Sequence, residues 1–253
     1  MTYSHDEHNQ RAYYNQIADT YDAYYANPYA LKYRYAVYER ALKGMDWHGK
    51  HVLDAMCGGG MGSGYFADKG ATVAGVDISD EQCRLYAQRF PDHDVRCESI
   101  LQTSFAPASF DFIVTDSLHH LQPNVPAALE EMLRVLKPGG HILAYEPNAR
   151  SFMDVFRRLW YRTDPRYFEE NEQSIDIDRV VDQMGGRLEL VQALYGGRLA
   201  YLLVQEAMVL RVPPRLIPLY APLLMRIEFT LDQIGMGRFL SAWVVGLLRK
   251  ASG

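Results

Sequence analysis

The sequence predicts an α/β fold built around a largely parallel sheet. Between Lys50 and Glu146, short apolar runs alternate with stretches of helical periodicity, and glycine-containing turns separate them. This alternation is typical of consecutive strand-helix-strand units. The chain has 253 residues, of which 48% are hydrophobic and 23% charged, as expected for one globular domain.

The first 46 residues are predicted to form a helical arm. Residues 1–40 contain ten of the 18 tyrosines, several of them three, four or seven positions apart, which indicates amphipathic helix. Most of these rings are expected to pack in the core. Tyr13 and Tyr14 are the candidates for substrate contact, and Tyr21 is a candidate lid residue over a bound ligand.

Five strands are predicted within residues 47–148. They lie in the runs HVLDAM, ATVAGVDI, DVRCES, FDFIVTD and HILAYEP, and helices fall in YFADKG, SDEQCRLYAQRF and VPAALEEMLRVL. Ser79 and Gln82 predict a capping box at the start of the second of these helices. The pair Gly139–Gly140 marks the turn before the fifth strand. Turn signals and hydrophobic periodicity therefore agree.

The rest of the chain is predicted to hold two insertions and two more strands. A basic, aromatic helical stretch followed by an acidic loop occupies residues 149–185. Two apolar helices, divided near Pro213–Pro214, occupy residues 198–238. The strands lie in RLELVQALY and SAWVVGLLRK. Since no repeat or linker interrupts the sequence, residues 1–253 are expected to form a single domain.

Composition disfavours several classes of function. The net charge of -5 and the pI near 5.9 argue against a nucleic-acid partner. The three cysteines form no CxxC or Cys/His cluster, so no disulfide frame and no metal site are expected, and a cytoplasmic location is the simplest. No signal peptide is visible and no run reaches about 18 apolar residues, so no transmembrane segment is expected.

The segment VLDAMCGGGMG connects the first strand to the first helix. Asp54 ends the strand, and Gly58 and Gly60 lie in the turn. Glycine allows the backbone to approach a ligand closely, and the start of a helix offers unpaired N–H groups to an anion. We therefore expect a cradle for a carboxylate or a phosphate.

Asp77 ends the next apolar strand, 17 residues after Gly60. An acid at this place can accept hydrogen bonds from both ribose hydroxyls. The alternative is that the glycines only permit a tight turn and that Asp77 caps a helix, but the complete order of strand, loop, helix, strand and acid favours a nucleoside site. A nicotinamide oxidoreductase is disfavoured, because the GxGxxG pattern meets Ser63 or Tyr65 at its last position.

Four segments in order, VLDAMCGGG, GVDIS, SFDFIVTDSLHHL and EEMLRVLKPGGHILAYEPN, resemble the class I S-adenosylmethionine-dependent methyltransferases. The resemblance covers residues 11–148 and is strongest to the small-molecule branch related to quinone and sterol methyltransferases. It implies a Rossmann-like, seven-stranded, mostly parallel sheet with one antiparallel strand and helices on both faces. It also implies S-adenosylmethionine as cofactor and a small, hydrophobic or natural-product-like acceptor, with O- or C-methylation favoured over N-methylation.

The resemblance assigns roles to individual residues. The loop with Asp54 matches the part that holds the methionyl group, Asp77 matches the ribose acid, and Asp116 matches the segment that faces the methionyl ammonium and the reacting methyl. Tyr21 matches an arm residue that closes over the cofactor. Nine cofactor contacts are expected: Tyr21, Asp54, Gly58, Gly60, Asp77, Ile78, Ser99, Ile100 and Asp116.

Two positions depart from the family pattern. Met56 stands where the family has its first loop glycine, which predicts a slightly different turn. Ser99 stands where the family usually has an aspartate for the adenine amino group, with Glu98 beside it. Because either side chain can accept that hydrogen bond, the residue that contacts adenine is left open.

His119 and His120 follow the fourth strand, beside the expected position of the methyl group. A sulfonium methyl is already activated, so the protein mainly aligns the acceptor and excludes water. A hydroxyl or an acidic carbon, however, must lose a proton to a base such as histidine. We predict that His120 faces the cofactor pocket and that His119 is the candidate base. The alternative, a histidine that only packs, stays open.

The last part of the chain is basic although the protein is acidic. Residues 198–253 contain seven Lys or Arg against three acids. Together with the apolar helices, this pattern is consistent with a substrate tunnel, peripheral contact with a lipid surface, a homodimer face or an ordinary cap over the sheet. A protein that binds the cofactor or a lipid surface without methyl transfer therefore remains the non-enzymatic alternative.

Overall fold

A computed structural model describes residues 4–163, 172–235 and 237–251 of the chain. Its seven strands are β1 (His51–Ala55), β2 (Thr72–Asp77), β3 (Asp94–Cys97), β4 (Phe110–Thr115), β5 (Leu136–Pro147), β6 (Leu188–Gly196) and β7 (Trp243–Lys250). They form one sheet in the order β3-β2-β1-β4-β5-β7-β6. β7 runs antiparallel to both of its neighbours. The predicted seven-stranded, mostly parallel sheet is confirmed.

Helices precede the sheet and connect its strands. They are α1 (His5–Tyr25), α2 (Pro28–Ala41), α3 (Ser63–Ala67), α4 (Asp80–Arg89), α5 (Val125–Val135), α6 (Met153–Thr163), α7 (Ile177–Gln183) and α8 (Ile217–Ile234). α1 and α2 form the predicted arm. None of the described helices combines the length and the apolarity needed to cross a bilayer.

The helix caps follow the sequence signals closely. Ser4 and Glu7 form a complete capping box at the start of α1. Ser79 accepts a hydrogen bond from the Gln82 backbone N–H at 3.2 Å and so caps α4. The second half of the capping box predicted there is absent, because the Gln82 side-chain amide is buried without a hydrogen-bond partner in the described chain.

The segment between β6 and α8 differs from the predicted pair of apolar helices. A single π-helical turn, Tyr201–Gln205, replaces the first helix, and irregular turns follow it. Arg211 has φ 56°, which ends helical geometry before the prolines at 213 and 214. In the other insertion, α6 matches the predicted basic helix and α7 replaces the end of the predicted loop, while residues 164–171 lie outside the described part.

Apolar side chains cover the sheet on both faces. One cluster packs beneath α5 and α7 and includes Ile113, Leu129 and Ile142. The other packs beneath α2 and α8 and includes Tyr38 and Trp243. Because both faces are buried, the central strands read as near-continuous apolar runs. Since helices cover both faces, the arm and the insertions can meet at the edge formed by the carboxyl ends of the parallel strands.

The arm is held across this edge by polar contacts with α4. Arg11 donates to both carboxylate oxygens of Asp80, at 2.9 and 2.8 Å. Asn15 Oδ1 accepts from the Ser79 hydroxyl at 2.7 Å. Arg89 of α4 donates to both oxygens of Asp22, at 2.8 and 2.9 Å. These bonds fix α1 over the ends of β1 and β2.

Candidate active site

Two adjoining cavities lie beneath α1, at the carboxyl ends of the parallel strands. The larger has a volume of about 440 Å³ and the smaller about 70 Å³. Tyr14, Tyr21 and His120 line both cavities and therefore form their common wall. In open α/β sheets, ligands bind at this edge of the strands.

The smaller cavity carries groups suited to a nucleoside. Asp77 accepts hydrogen bonds from the backbone N–H groups of Gly58 and Ser79, both at 2.9 Å. A carboxylate offers about four acceptor sites, so two remain for the hydroxyls of a ligand. Six of the predicted cofactor residues line this cavity: Tyr21, Gly58, Asp77, Ile78, Ser99 and Ile100.

The two candidates for adenine differ in their contacts. Both Glu98 oxygens accept hydrogen bonds from Ser104, one from its backbone N–H at 2.7 Å and one from its hydroxyl at 2.6 Å. Ser99 is buried, and its hydroxyl accepts a hydrogen bond from the Leu101 backbone N–H at 3.1 Å. Ser99 and Glu7 both face the smaller cavity. The geometry therefore favours Ser99, together with an arm carboxylate that the sequence did not indicate.

Asp54 and Gly60, two of the predicted cofactor contacts, do not appear among the described residues that line either cavity. Asp54 is buried and accepts a hydrogen bond from the Ser63 hydroxyl at 2.7 Å. Burial raises the pKa of Asp54 to about 7. Gly60 has φ 87°, and a Cβ there would lie 2.6 Å from the Phe90 ring. Both residues therefore support the conformation of the loop without lining either cavity.

Met56 explains how the loop turns without the first family glycine. It has φ 58°, a left-handed conformation that costs a residue with a side chain about 1 kcal/mol. Met56 lines the smaller cavity and packs against the core beneath α5. The backbone therefore keeps a glycine-like turn, while the side chain adds apolar surface to the site.

A partly buried ion pair lines the larger cavity. Asp116, directly after β4, pairs with Arg34 of α2. The Arg34 Nε atom is buried and has no hydrogen-bond partner among the described residues. Gln205 places its amide oxygen 3.0 Å from Arg34 Nη2 in the amide orientation that also donates to the Ala30 carbonyl oxygen. An adjacent cation and anion, one with an unused donor, fit the carboxylate and ammonium of an amino-acid group.

Glu146 orients His119 in the larger cavity. His119 Nδ1 lies 2.8 Å from Glu146 Oε2. The Glu146 carboxylate, at the end of β5, also accepts from the backbone N–H groups of Leu118 at 2.9 Å and of His119 at 3.2 Å. Burial lowers the pKa of His119 to about 3 and raises the pKa of Glu146 to about 8. The pair is therefore neutral overall near pH 7.

His120 connects the cavities to the arm. The Tyr14 hydroxyl lies 3.1 Å from His120 Nε2, and Gln10 of the arm donates to the His120 carbonyl oxygen at 2.5 Å. Burial holds the pKa of His120 well below its usual range, so the ring is neutral. Tyr13, the other predicted substrate contact, also lines the larger cavity.

Glu172 joins the two histidines in one cluster. Potential ligand atoms of His119, His120 and Glu172 lie within 4.8 Å of one another, so their chemistry would suit a divalent metal ion. The sequence patterns alone predict no metal site at this position. The Arg157 charge contributes to lowering the pKa of both histidines, after burial, and this nearby positive charge disfavours a second cation.

Sequence reasoning missed Arg34 and Glu146. A signal existed for Glu146, because it ends a predicted strand at the same edge as Asp77 and Asp116. The signal for Arg34 was weaker, because it is only a single cation between Tyr33 and Tyr35. Which face of the arm is buried cannot be identified before the elements that pack against it are known.

Comparisons with known proteins agree with this geometry. Residues 53–144 match the family described as a methyltransferase domain. A demethylmenaquinone methyltransferase from Renibacterium salmoninarum is 36% identical over 121 residues, which are 46% of this chain and 51% of that protein. A malonyl-(acyl-carrier protein) O-methyltransferase from Serratia marcescens is 31% identical over 168 residues, 65% of this chain and 63% of that protein. The chain therefore matches less than two thirds of either relative.

A solved structure agrees at the level of the fold. An S-adenosylmethionine-dependent methyltransferase from Thermotoga maritima has a TM-score of 0.62 at 16% identity, and the match covers 94% of this chain and 99% of that one. Residues 53–144 thus form a methyltransferase domain of the class I S-adenosylmethionine-dependent type, as the four sequence segments predict. The predicted relationship to quinone methyltransferases is confirmed in sequence.

Proposed function

We propose that the protein transfers the methyl group of S-adenosylmethionine to a small, largely apolar acceptor, at a hydroxyl or an acidic carbon. The observation that supports this most directly is the common wall of the two cavities at Tyr14, Tyr21 and His120. Methyl transfer requires the donor and the acceptor to meet in line, and two compartments that meet at one point allow this.

The cofactor, when bound, supplies a methyl group on a positively charged sulfur. In this proposal Asp77 accepts hydrogen bonds from the ribose hydroxyls in the smaller cavity. Arg34 and Asp116 hold the methionyl carboxylate and ammonium. The rings of Tyr14 and Tyr21 cover the junction, exclude water and present their negative faces to positive charge.

His119 is proposed as the base and Glu146 as the group that positions it. With Glu146 ionised, the His119 Nδ1–H donates to the Glu146 carboxylate. The negative charge of that carboxylate offsets the effect of burial on His119, so the lone pair of Nε2 can accept a proton. The proton of the acceptor hydroxyl or carbon would then move to Nε2 as the new bond to the methyl carbon forms and the bond from that carbon to sulfur breaks, which leaves S-adenosylhomocysteine as a neutral thioether. His120 stays neutral and holds Tyr14 across the junction.

The walls of the larger cavity favour an apolar acceptor. Aromatic and aliphatic side chains form much of its lining away from the ionisable cluster: Ile17, Tyr25, Leu202, Met208 and Val209. The relatives named above carry the names of quinone and acyl-carrier methyltransferases, which is consistent with an acceptor that contains an oxygen and an apolar body.

In this proposal the arm moves when the cofactor is loaded. Its residues Glu7, Gln10 and Tyr14 line the smaller cavity, whose volume is about 70 Å³. The contacts of Arg11 and Asn15 with α4 would have to open to admit a nucleoside. The Arg11–Asp80 pair is substantially exposed, so breaking it costs little free energy, whereas the partner of Asn15, Ser79, is buried.

An acceptor panel tests the proposal. The protein is incubated with S-adenosylmethionine labelled in the methyl group and with a phenol, a β-dicarbonyl compound, a fatty acid and a primary alkylamine. We expect labelled methyl groups on the oxygen or acidic-carbon acceptors and no label on the amine. The amount of S-adenosylhomocysteine formed should equal the amount of label transferred. Binding of S-adenosylhomocysteine without transfer to any member would instead support the non-enzymatic alternative.

A further inference from the structure

Exposed aromatic side chains surround the mouth of the larger cavity. The Phe152 ring lies 5.5 Å from Phe239 and 6.3 Å from Phe156, so the three form one continuous surface. Phe156 is 65% exposed, Phe239 64% and Leu159, one helical turn after Phe156, 62%. Leu210, also exposed, lines the same cavity as Phe152 and Phe156. We call these five residues the mouth patch.

Four of the five mouth-patch residues, all except Phe239, lie in two arginine-rich segments. Residues 149–163 and 198–227 together contain eight arginines and two acids, in a chain whose net charge is -5. Both acids are turned inward, since Asp154 is 6% exposed and Glu206 accepts a hydrogen bond from the buried Tyr25 hydroxyl. Two of the arginines are neutralised nearby, because Arg150 pairs with Asp176 and Asp178, and Arg198 pairs with the buried Asp232. Arg158 of α6 pairs with Asp154 but keeps 64% of its side chain exposed, and Arg211, which follows Leu210, is exposed as well. The mouth of an apolar cavity thus combines apolar and positive surface.

We infer that the mouth patch docks on an anionic lipid bilayer. Aromatic and leucine side chains partition into the interfacial layer, and arginines beside them contact lipid phosphates. A second copy of this chain fits less well, because a symmetric contact would bring the same arginines face to face. On a bilayer, the larger cavity would open directly onto the lipid. The inference concerns this surface alone and holds with or without methyl transfer.

Vesicle binding tests the inference with the complete chain. Sedimentation is measured with vesicles of phosphatidylcholine and phosphatidylglycerol at 7:3 and with vesicles of phosphatidylcholine alone. We expect binding to the anionic vesicles that weakens as salt rises. The double variant Leu159→Asp/Phe239→Asp changes no residue that lines either cavity and should lower the affinity by at least about tenfold. Val191→Asp, at a residue 50% exposed on β6, should leave binding unchanged.

A charge variant separates the two contributions. Arg158→Gln should weaken binding to anionic vesicles by about fivefold and leave the residual binding to neutral vesicles as it was. Circular dichroism and the melting temperature verify that each variant is folded. Unchanged binding by the double variant, or equal binding of the parent to both vesicle types, would overturn the inference. So would a parent that binds neither vesicle but self-associates in the ultracentrifuge through a contact that the double variant loses.

Discussion

The two cavities are built in different ways. Thirteen of the 19 residues that line the smaller cavity lie at the ends of strands, in segments 56–58, 76–78, 98–101 and 117–124, and five belong to α1. The larger cavity takes residues from position 13 to position 242, from both arm helices and from both insertions. The sheet edge alone therefore fixes most of the cofactor side, whereas the acceptor side exists only after distant segments have packed together.

The two cavities also differ in how their charged groups are stabilised. In the smaller cavity, backbone N–H groups of neighbouring residues satisfy Asp77. In the larger cavity, buried and partly buried side chains pair with each other, Arg34 with Asp116 and His119 with Glu146. Buried side-chain pairs depend on both partners, because removing one leaves an uncompensated group. Substitutions on the acceptor side should therefore have the larger effects on turnover.

The largest effect is expected at the His119–Glu146 pair. His119→Ala should lower kcat by about 100-fold or more, because the base is lost, while the affinity for S-adenosylhomocysteine stays nearly unchanged. Glu146→Gln keeps the shape but cannot ionise, and it should lower kcat similarly. His141→Ala is the matched control, since His141 lines neither cavity. Full turnover by His119→Ala would show that no base is needed at this position.

The next largest effect should come from Arg34. Arg34→Met removes the proposed partner of the methionyl carboxylate and should weaken S-adenosylhomocysteine binding by about 100-fold in calorimetry. The double variant Arg34→Met/Asp116→Leu also removes the stranded acid, so it should recover stability without recovering affinity. Arg40→Met, on the same helix, serves as the control. If Arg34→Met and Arg40→Met bind equally well, the proposed methionyl site is wrong.

The pH dependence of turnover should report Glu146. Below its pKa of about 8, protonated Glu146 donates to His119 Nδ1, and the ring then carries its own proton on Nε2 and cannot act as a base. Turnover should therefore rise by about tenfold per pH unit from pH 6 towards 8 and then level. Glu146→Gln should remove this rise when the acceptor itself does not titrate in the range. A falling profile would contradict the assignment.

The smallest effect is expected for substitutions of Met56, which test the backbone conformation of the loop between β1 and α3. Met56→Gly and Met56→Ala both remove the side chain, but only glycine relieves the left-handed conformation. The glycine variant should be more stable than the alanine variant by about 1 kcal/mol in denaturant unfolding, the reverse of the usual order within regular structure. Alanine as the more stable variant would mean that the loop does not require this conformation.

The same contrast explains what the sequence could predict. The strands and the position of Asp77 follow from local periodicity, because a parallel strand carries its own apolar run and ends at a common edge. The positions of the two histidines after β4 follow for the same reason. Ser99 and Asp116 follow instead from the resemblance of their segments to the methyltransferase family. Most of the cofactor side could therefore be predicted from local sequence patterns together with the family resemblance.

The rest depends on contacts between distant segments. The Glu228 carboxylate of α8 accepts hydrogen bonds from the backbone N–H groups of Ala200 and Tyr201, at 2.7 and 3.1 Å, and from the Tyr33 hydroxyl. This buried network holds the π-helical turn, which apolar periodicity predicted as an ordinary helix. The role of Arg34 likewise cannot be predicted from its own segment, because it depends on α2 packing beside the end of β4.

The central claim is that Asp77 binds the ribose of S-adenosylmethionine. Calorimetric titration of S-adenosylhomocysteine into parent, Asp77→Ala and the exposed-site control Asp92→Ala tests it most directly. We predict at least about 100-fold weaker binding for Asp77→Ala alone, from two lost hydrogen bonds to a charged group, and a much smaller loss for an analogue that lacks the ribose hydroxyls. Affinity in Asp77→Ala equal to that of the parent would contradict the claim.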